Sequence, residues 1–363
     1  MRKQLRLYRS LLPAICLVAL LIVLAGCRAG AVTPAPVPPT ASLTPPPATP
    51  KVEGLSEQEA ATLDSLKKVD DYPLYTMRYD GAYEQRAWSD SRLEFASTRL
   101  PPTWACSLFA ALGDANNMLY GRNFDWEYSP ALLLYTHPPD GYASLSMVDI
   151  AYLGFGEGKA STITDLPLAE RRALLRAPFL PFDGMNERGL AVGMAAVPVG
   201  DIKPDPGKET IGSLMVIRMM LDHAGSVDEA VAILQRYNVD MEGGPPLHYL
   251  IADRSGRAVL VEFYQGRLVV MPNQTPWHQA TNFLLSAFER PEGRCQRYDA
   301  ISRRLAETQG SLSAQDAVKL LDQVSLAHTQ WSITYGLTVG DANVVMGRQY
   351  GSVRTFRLDP DNE

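Results

Sequence analysis

The sequence predicts an α+β fold built of stacked layers. Segments with the alternation of strands occur in groups before and after two pairs of amphipathic helices, which is typical of sheets covered by helices. The 363-residue chain is 46% hydrophobic and 20% charged, which allows a large buried core. A formal net charge of −6, with no basic run beyond the first nine residues, argues against nucleic-acid binding.

The N-terminus has the pattern of an export signal. Four basic residues precede an apolar run of 14 residues, Leu11–Leu24. This run is shorter than a membrane span, which needs about 20 residues. The run leads into L-A-G-C at Cys27, a string that resembles the lipobox of bacterial lipoproteins. The resemblance implies a signal peptide over 1–26, a lipid on the thiol of Cys27, and anchorage on the extracytoplasmic face of the cell membrane or outer membrane. The alternative is a plain transmembrane anchor that contains a cysteine by chance.

Two segments of different character follow. Residues 27–50 are predicted to be a spacer, because eight of the 20 residues at 31–50 are proline, and such a stretch extends to roughly 60 Å. Residues 51–105 are predicted to be ordered. Ser56–Lys68 starts with a capping box and predicts a helix, and 72–84, rich in tyrosine, predicts a strand.

From residue 106 onward most of the pattern is β. A hairpin is predicted where strands at 106–112 and 117–126 flank a polar turn, and a second hairpin is predicted over 181–198. The remaining predicted elements are helices at 213–224 and 229–237, three strand arms over 248–271, helices at 293–308 and 313–324, and strands over 332–358.

The body of the chain keeps two cysteines, Cys106 and Cys295. An exported protein that depended on disulfides would usually carry more, so reactivity is the better reason for at least one of them. No C-x-x-C or H-x-x-x-H occurs and the five histidines are scattered, so neither a metal nor a cofactor is predicted. Cys295 is expected to be a reduced, half-buried helix residue, with a role at the site as the alternative.

Cys106 is the candidate nucleophile. It begins the first predicted hairpin, and Arg122 and Asp125 lie on the returning strand. A guanidinium and a carboxylate near a thiol would hold it in an electropositive, hydrogen-bonded site and lower its pKa from about 8.5 towards neutral. The alternatives are a structural cysteine and an exposed ion pair.

These residues carry a resemblance to the choloylglycine hydrolase family, which includes bile salt hydrolases and penicillin V acylases and has acid ceramidase-like relatives. The matching strings, in family order, are the Cys106 hairpin with GRNFDW, NERGLAVGMAAVP, VIRMMLDHAGSVDEAVAIL, HYLIADRSGRAVLVEF, ATNFLL and QRYDAI. They cover 106–300 well and the last 60 residues loosely. The resemblance implies a four-layer αββα N-terminal nucleophile (Ntn) hydrolase fold with two stacked antiparallel sheets. It also implies cleavage between Ala105 and Cys106, so that 106–363 is the catalytic domain.

The resemblance implies a role for each matching residue. Cys106 would be both nucleophile and, through its new α-amine, base. Arg122 would help to activate the thiol, Asp125 would orient the amine or thiol, and Arg297 would complete the polar network. The Asn282 amide would face the developing oxyanion. For Asn282 and Arg297 the alternatives are a turn residue and a solvated helix charge.

Two departures from the family pattern bear on function. Ala196 stands where bile salt hydrolases and penicillin V acylases carry asparagine. Alanine can serve if the backbone N–H stabilises the oxyanion, whereas a side chain that reads the substrate would mean a different substrate. The ordered segment 51–105 resembles that of acid ceramidase-like relatives, in which the released segment stays bound as a small subunit, and we expect the same here.

The predicted function is hydrolysis of small N-acyl amides with an apolar acyl group, through a thioester acyl-enzyme. Candidate substrates are conjugated bile acids, penicillin V-like side chains, N-acyl ethanolamines and acyl homoserine lactones. Trp104 and the aromatic hairpins suit an apolar pocket, and an oligomer is compatible with the family. Two alternatives stay open: a cysteine peptidase with His248 or His278 as base, and a lipoprotein of the same fold that binds a ligand without turnover.

Overall fold

The computed structural model describes residues 54–83, 104–241 and 244–358. The predicted signal peptide 1–26, the lipidation residue Cys27 and the spacer 27–50 lie outside the described residues. Within the described ranges, no helix combines the length and the apolar character that crossing a membrane requires.

Strands and helices occur in separate runs along the chain, as expected of an α+β protein. The α-helices are α1 (Glu57–Asp64), α2 (Met215–His223), α3 (Val227–Arg236), α4 (Gln296–Glu307) and α5 (Ala314–Gln323). The strands are β1 (Lys67–Asp70), β2 (Leu74–Asp80), β3 (Ala105–Ala111), β4 (Leu119–Asp125), β5 (Ala131–His137), β6 (Ser144–Asp149), β7 (Asp183–Asn186), β8 (Leu190–Ala196), β9 (Thr210–Gly212), β10 (Asn238–Asp240), β11 (Leu247–Asp253), β12 (Ala258–Tyr264), β13 (Arg267–Pro272), β14 (Trp277–Ala280), β15 (Thr329–Gly336), β16 (Asp341–Met346) and β17 (Arg354–Arg357). Segments of 3-10 helix lie at Ile150–Leu153, Ile163–Asp165, Leu168–Phe179 and Leu285–Ala287.

Two large sheets carry the fold. One has nine strands in the order β1-β2-β5-β6-β7-β8-β11-β12-β13, and the other has six in the order β14-β3-β4-β15-β16-β17. The predicted antiparallel pairing holds for the six-stranded sheet. In the nine-stranded sheet β2 pairs parallel with β5. The chain between them contains the β3–β4 hairpin of the other sheet, and this connection is long enough for a parallel pair.

The sheets stack face to face, and helices cover their outer faces. Helix α2 packs on β7 and β8, and α5 packs on β4 and β15. The sheets approach closely at Gly193, where a Cβ atom would lie 2.7 Å from the Tyr120 hydroxyl and 3.0 Å from Leu108. The α+β prediction with two stacked sheets is therefore confirmed, and the layers follow the order αββα.

Strand β3 shows why the central strands have nearly continuous apolar sequences. Cys106, Leu108 and Ala110 face the core between the sheets, while Phe109 and Ala111 pack against α4 and α5. Because both faces are buried, every residue of the strand is buried.

The predicted elements differ from the structure mainly at their ends. The capping box of α1 is present, with the Ser56 hydroxyl accepting from the Glu59 N–H at 3.2 Å and the Glu59 carboxylate from the Ser56 N–H at 2.7 Å. The predicted helix 56–68 is too long, since α1 ends at Asp64. Its last residues lie in β1, where pairing with β2 supplies their backbone partners.

Both predicted hairpins, the three strand arms and the helices α2 to α5 are present. Gly189 has a φ of 74° in the turn between β7 and β8, a conformation that glycine adopts without strain. No helix or strand is predicted from the sequence for residues 127–180, where the structure has β5, β6 and three 3-10 segments.

Candidate active site

Cys106 lies near the start of β3, which is the second strand of the six-stranded sheet and lies between β14 and β4. It stands opposite Phe124 in β4, so Arg122, two residues before Phe124, is a diagonal neighbour on the same face. The Nη2 atom of Arg122 lies 3.8 Å from the Cys106 sulfur. The alternation of the hairpin thus places a buried guanidinium against the thiol.

A second buried charge holds this guanidinium. Nη1 of Arg122 forms an ion pair with Asp183 of β7, and neither side chain is exposed to solvent. The Tyr335 hydroxyl donates to the other oxygen of Asp183 at 2.6 Å, and the Trp331 indole N–H lies 3.4 Å from the paired oxygen. A buried cation is tolerated only with such a partner, so Asp183 belongs to the site although the sequence analysis did not select it.

Asp125 occupies the opposite face of β4, three residues from Arg122. Its carboxylate accepts from the Thr329 hydroxyl, and its other oxygen lies 3.8 Å from Nη1 of Arg297. That distance is an ionic contact rather than a hydrogen bond. The helix-facing side of the sheet therefore carries a second pair of opposite charges beneath Cys106.

Arg297 and Asn282 bind the backbone of the cysteine. Nη1 of Arg297 donates to the Cys106 carbonyl oxygen and, at 2.9 Å, to the Ser107 hydroxyl, and its Nη2 donates to the Asn282 side-chain oxygen at 2.9 Å. The same Asn282 oxygen accepts from the Cys106 N–H at 2.7 Å. The Asn282 amide NH2 donates to the Ala196 carbonyl oxygen at 2.9 Å.

The structure thus brings together the residues predicted for the catalytic site, whereas the predicted lipidation residue Cys27 lies outside the described residues. Four of them, Arg122, Asp125, Asn282 and Arg297, surround Cys106, and Ala196 is joined to them through Asn282. Ala105 pairs with Asp125 across the hairpin.

Burial dominates the electrostatics of the intact chain. It raises the pKa of the Cys106 thiol, although Arg122 and Arg297 act in the opposite direction. Burial also raises the pKa of Asp125, against the lowering effect of Thr329 and Arg297. For Arg122, burial alone would lower the pKa, but Asp183 and the thiol raise it, so the guanidinium stays charged. The expected lowering of the thiol pKa is therefore wrong for the uncleaved protein, because desolvation outweighs the two arginines.

An apolar cleft opens against Cys106. It is lined by apolar and aromatic side chains from both sheets and by the loop before β11. The lining residues are Cys106, Phe124, Trp126, Tyr152, Phe182, Met194, Ala196, Ser213, Leu214, Gly244, Pro245 and Leu247. Trp104, which was expected to contribute, is not among them.

The histidines that a peptidase would need are engaged elsewhere. Nδ1 of His248 lies 3.1 Å from the buried Glu262 carboxylate. Nε2 of His278 lies 3.0 Å from the Met271 carbonyl oxygen, and its Nδ1 accepts from the Gln279 N–H. The contacts of the thiol thus involve arginine rather than imidazole.

Comparison with known proteins agrees with this geometry. The sequence model of the linear amide C–N hydrolases, choloylglycine hydrolase family, matches residues 106–292. The chain belongs to this family. Membership makes the protein a hydrolase of linear amide C–N bonds, and the match starts at the candidate nucleophile.

Two solved structures are similar to this chain to different degrees. A mutant conjugated bile acid hydrolase from Clostridium perfringens is 18% identical with a TM-score of 0.52, and the alignment covers 71% of this chain and 93% of that chain. Penicillin V acylase from Agrobacterium tumefaciens is 14% identical with a TM-score of 0.48, over 71% and 89% of the two chains. The first likeness shows that this chain shares the fold of that bile acid hydrolase.

In this choloylglycine hydrolase family member, part of the polar network lies beyond the matched residues. Arg297, Thr329 and Tyr335 all follow residue 292, and only Arg297 is predicted from the sequence as a site residue. A charged residue inside an otherwise apolar strand pattern, as in F-D-G-M, is the signal that could have revealed Asp183.

Proposed function

We propose that the protein hydrolyses small N-acyl amides with an apolar acyl group, and that Cys106 is the nucleophile after cleavage of the Ala105–Cys106 bond. The single observation that carries the proposal is the position of the Cys106 thiol. It lines an apolar cleft and lies 3.8 Å from the buried Arg122 guanidinium, in a chain whose family hydrolyses linear amides.

Self-cleavage would start from the buried thiol. The thiol sulfur attacks the Ala105 carbonyl carbon, the bond to the Cys106 nitrogen breaks, and that nitrogen takes up the thiol proton and leaves as the α-amine. Water then hydrolyses the resulting thioester and leaves the Ala105 carboxylate. The bonds from Arg297 to the Cys106 carbonyl and from the Cys106 N–H to Asn282 support this step, because they fix the residue on the leaving side.

In the cleaved enzyme the α-amine would act as the base. Its reference pKa is about 7.7–8.0, which suits proton transfer near neutral pH. It takes the thiol proton, the thiolate attacks the substrate carbonyl, the amine product leaves with that proton, and water releases the acid from the thioester. Asn282 already accepts a hydrogen bond from the Cys106 nitrogen, so the same oxygen can hold the new amine, and Arg122 can stabilise the thiolate.

The oxyanion would form between Asn282 and Ala196. The Val197 N–H donates to the Pro246 carbonyl at 2.8 Å, and hydrogen-bonded pairs alternate along an antiparallel ladder. The N–H and C=O of Ala196 therefore turn away from β11, and the C=O meets Asn282. This supports a backbone role for residue 196, in which alanine serves as well as asparagine.

The anchor and the small subunit are part of the proposal. The export signal and Cys27 would place the enzyme on the extracytoplasmic membrane surface, with 27–50 as the spacer. Residues 51–105 would stay bound after cleavage, since β2 is paired with β5 over seven residues and Leu74, Tyr75 and Met77 are completely buried. Loss of β2 would expose the core of the nine-stranded sheet.

Purified protein and a Cys106→Ala variant test the proposal together. On a denaturing gel the wild type should give two fragments, the larger beginning at Cys106 by N-terminal sequencing, which co-elute under native conditions. Intact mass of the smaller fragment reports the lipid on Cys27. The variant should remain one chain and turn over no member of a panel of N-acyl amides. An active wild type that is a single full-length band would refute cleavage at this bond.

A further inference from the structure

Gln330 ties together the segments behind the active site. It is 4% exposed, and its carboxamide makes four hydrogen bonds. Its NH2 group donates to the carbonyl oxygens of Trp126 at 2.9 Å and His328 at 2.8 Å. Its oxygen accepts from the Ser129 N–H at 3.0 Å and from the Tyr72 hydroxyl at 2.7 Å. The carboxamide therefore uses its full hydrogen-bonding capacity.

The same residue interrupts the register of β15. Thr329 stands opposite Asp125 and Trp331 opposite Phe124, so Gln330 is an extra residue between them. Such a bulge re-aims the side chains on either side. Here one neighbour, Thr329, donates to Asp125, and the other, Trp331, stacks on Phe124 with ring centroids 4.0 Å apart. The bulge thus supplies contacts to both faces of the strand that carries Arg122 and Asp125.

Tyr72 is the one of these four partners that comes from the other side of the cleavage site. It lies in the turn between β1 and β2, and its ring packs against Gly347, where a Cβ atom would lie 2.5 Å from the ring. The neighbouring Asp70 forms an ion pair with Arg354 of β17 at 3.1 Å. The N-terminal segment therefore contacts both sheets, and after cleavage the Tyr72–Gln330 bond joins two polypeptides.

We infer that Tyr72 is a positioning residue of the active site, through which the N-terminal segment holds the Gln330 bulge and thereby the Thr329–Asp125 contact beneath Cys106. This inference rests on the proposed function. The N-terminal segment would then contribute to catalysis as well as to the nine-stranded sheet. Without the Tyr72 hydroxyl, the buried side-chain oxygen of Gln330 would keep only one hydrogen-bond donor, the Ser129 N–H.

The chain offers a matched control for the test. Tyr75, in the same segment, is completely buried, and its hydroxyl donates to the Ala160 carbonyl at 2.6 Å. Tyr72→Phe and Tyr75→Phe each remove one tyrosine hydroxyl from this segment and should lower the melting temperature similarly. Only Tyr72→Phe should lower kcat, by about fivefold to tenfold with KM within about twofold, as one hydrogen bond allows. Slower self-cleavage in Tyr72→Phe, but not in Tyr75→Phe, would support the inference in the same way as a lower kcat.

Two further measurements separate this inference from the proposed function. In a Gln330→Ala background Tyr72→Phe should have almost no additional effect, because coupled residues are not additive. The rate at which iodoacetamide alkylates Cys106 needs no substrate, and it should fall in Tyr72→Phe but not in Tyr75→Phe. Equal kcat and alkylation rates in the two tyrosine variants overturn the inference while leaving the hydrolase intact. If the wild type turns over no N-acyl amide, the proposed function is overturned. The alkylation rate of Cys106 would still test whether Tyr72 positions the thiol.

Discussion

Arg122 and Asp183 form an ion pair between the two stacked sheets, with both side chains completely buried. The pair fixes the guanidinium whose other nitrogen lies 3.8 Å from the Cys106 sulfur. The stacking of the sheets and the geometry at the thiol therefore depend on the same contact.

Asp183→Asn should damage both stability and activity. Removing one charge of a buried pair typically costs about 3–5 kcal/mol, because the partner is left uncompensated. We expect a drop of that order in the free energy of unfolding, measured by denaturant titration, together with slower self-cleavage. Asp228→Asn breaks the exposed pair with Arg257 and should cost at most about 1 kcal/mol. Equal losses in the free energy of unfolding of the two variants would show that the buried pair stabilises the fold no more than the exposed pair does.

Asn282→Ala should reduce kcat by about 10²–10³, the usual effect of removing one oxyanion donor. The variant also loses the acceptor for the Cys106 nitrogen, so self-cleavage should slow as well. Asn273→Ala is the control, because Asn273 makes comparable backbone hydrogen bonds in the hairpin of β12 and β13. Steady-state kinetics on both variants decide the matter, and a full-rate Asn282→Ala enzyme would remove this residue from the oxyanion site.

The cleft walls should determine which acyl group is accepted. Trp126 lines the cleft and stacks near Phe124, so Trp126→Ala should raise KM for apolar acyl amides roughly tenfold through lost burial. Trp277 packs on the helix-facing side of the six-stranded sheet, and Trp277→Ala should leave KM unchanged. If both substitutions shift KM alike, the acyl group does not occupy this cleft.

Much of the site follows from local pattern in the sequence. The period of two in a hairpin puts Cys106 and Arg122 on one face, and the family strings lead to Asn282 and Arg297. The contribution of Asp183 depends on how the sheets stack, which no local pattern specifies. Strand β5, A-L-L-L-Y-T-H, escaped prediction because a strand buried on both faces lacks alternation.

The bulge at Gln330 was not predicted from the sequence, for a different reason. Its effect on Thr329 and Trp331 depends on one extra residue in the register of β15, and a single insertion leaves no mark in composition or periodicity. The residues that complete the Asp125 and Asp183 contacts therefore became visible only with the sheet assembled.

Asp149 should make stability depend on pH. Burial raises the pKa of Asp149 to about 7, whereas the pKa of an aspartate in the unfolded chain is about 3.9. Between these values the folded protein holds a proton that the unfolded chain lacks, so stability present below pH ~4 is lost as the pH rises through about 7. Asp149→Asn should remove this slope, and its free energy of unfolding relative to wild type should rise by about 1–3 kcal/mol between pH 4.5 and 7.5.

Asp316→Asn provides the control for that titration. The Ser313 hydroxyl lowers the pKa of the exposed Asp316, so its contribution to stability is lost only as the pH falls below about 4. Its difference from wild type should stay flat between pH 4.5 and 7.5. A flat difference for Asp149→Asn as well would mean that the Asp149 carboxyl is already ionised at pH 4.5.

The most direct measurement of the central claim is the mass of the large fragment during turnover. Acid quenching of a reaction with a rapidly acylating N-acyl amide should trap the acyl group as a thioester, and peptide mapping should find it on the N-terminal peptide that begins at Cys106. Turnover without any adduct on that peptide, or an acyl group on another residue such as Cys295, would contradict the assignment of Cys106 as the nucleophile.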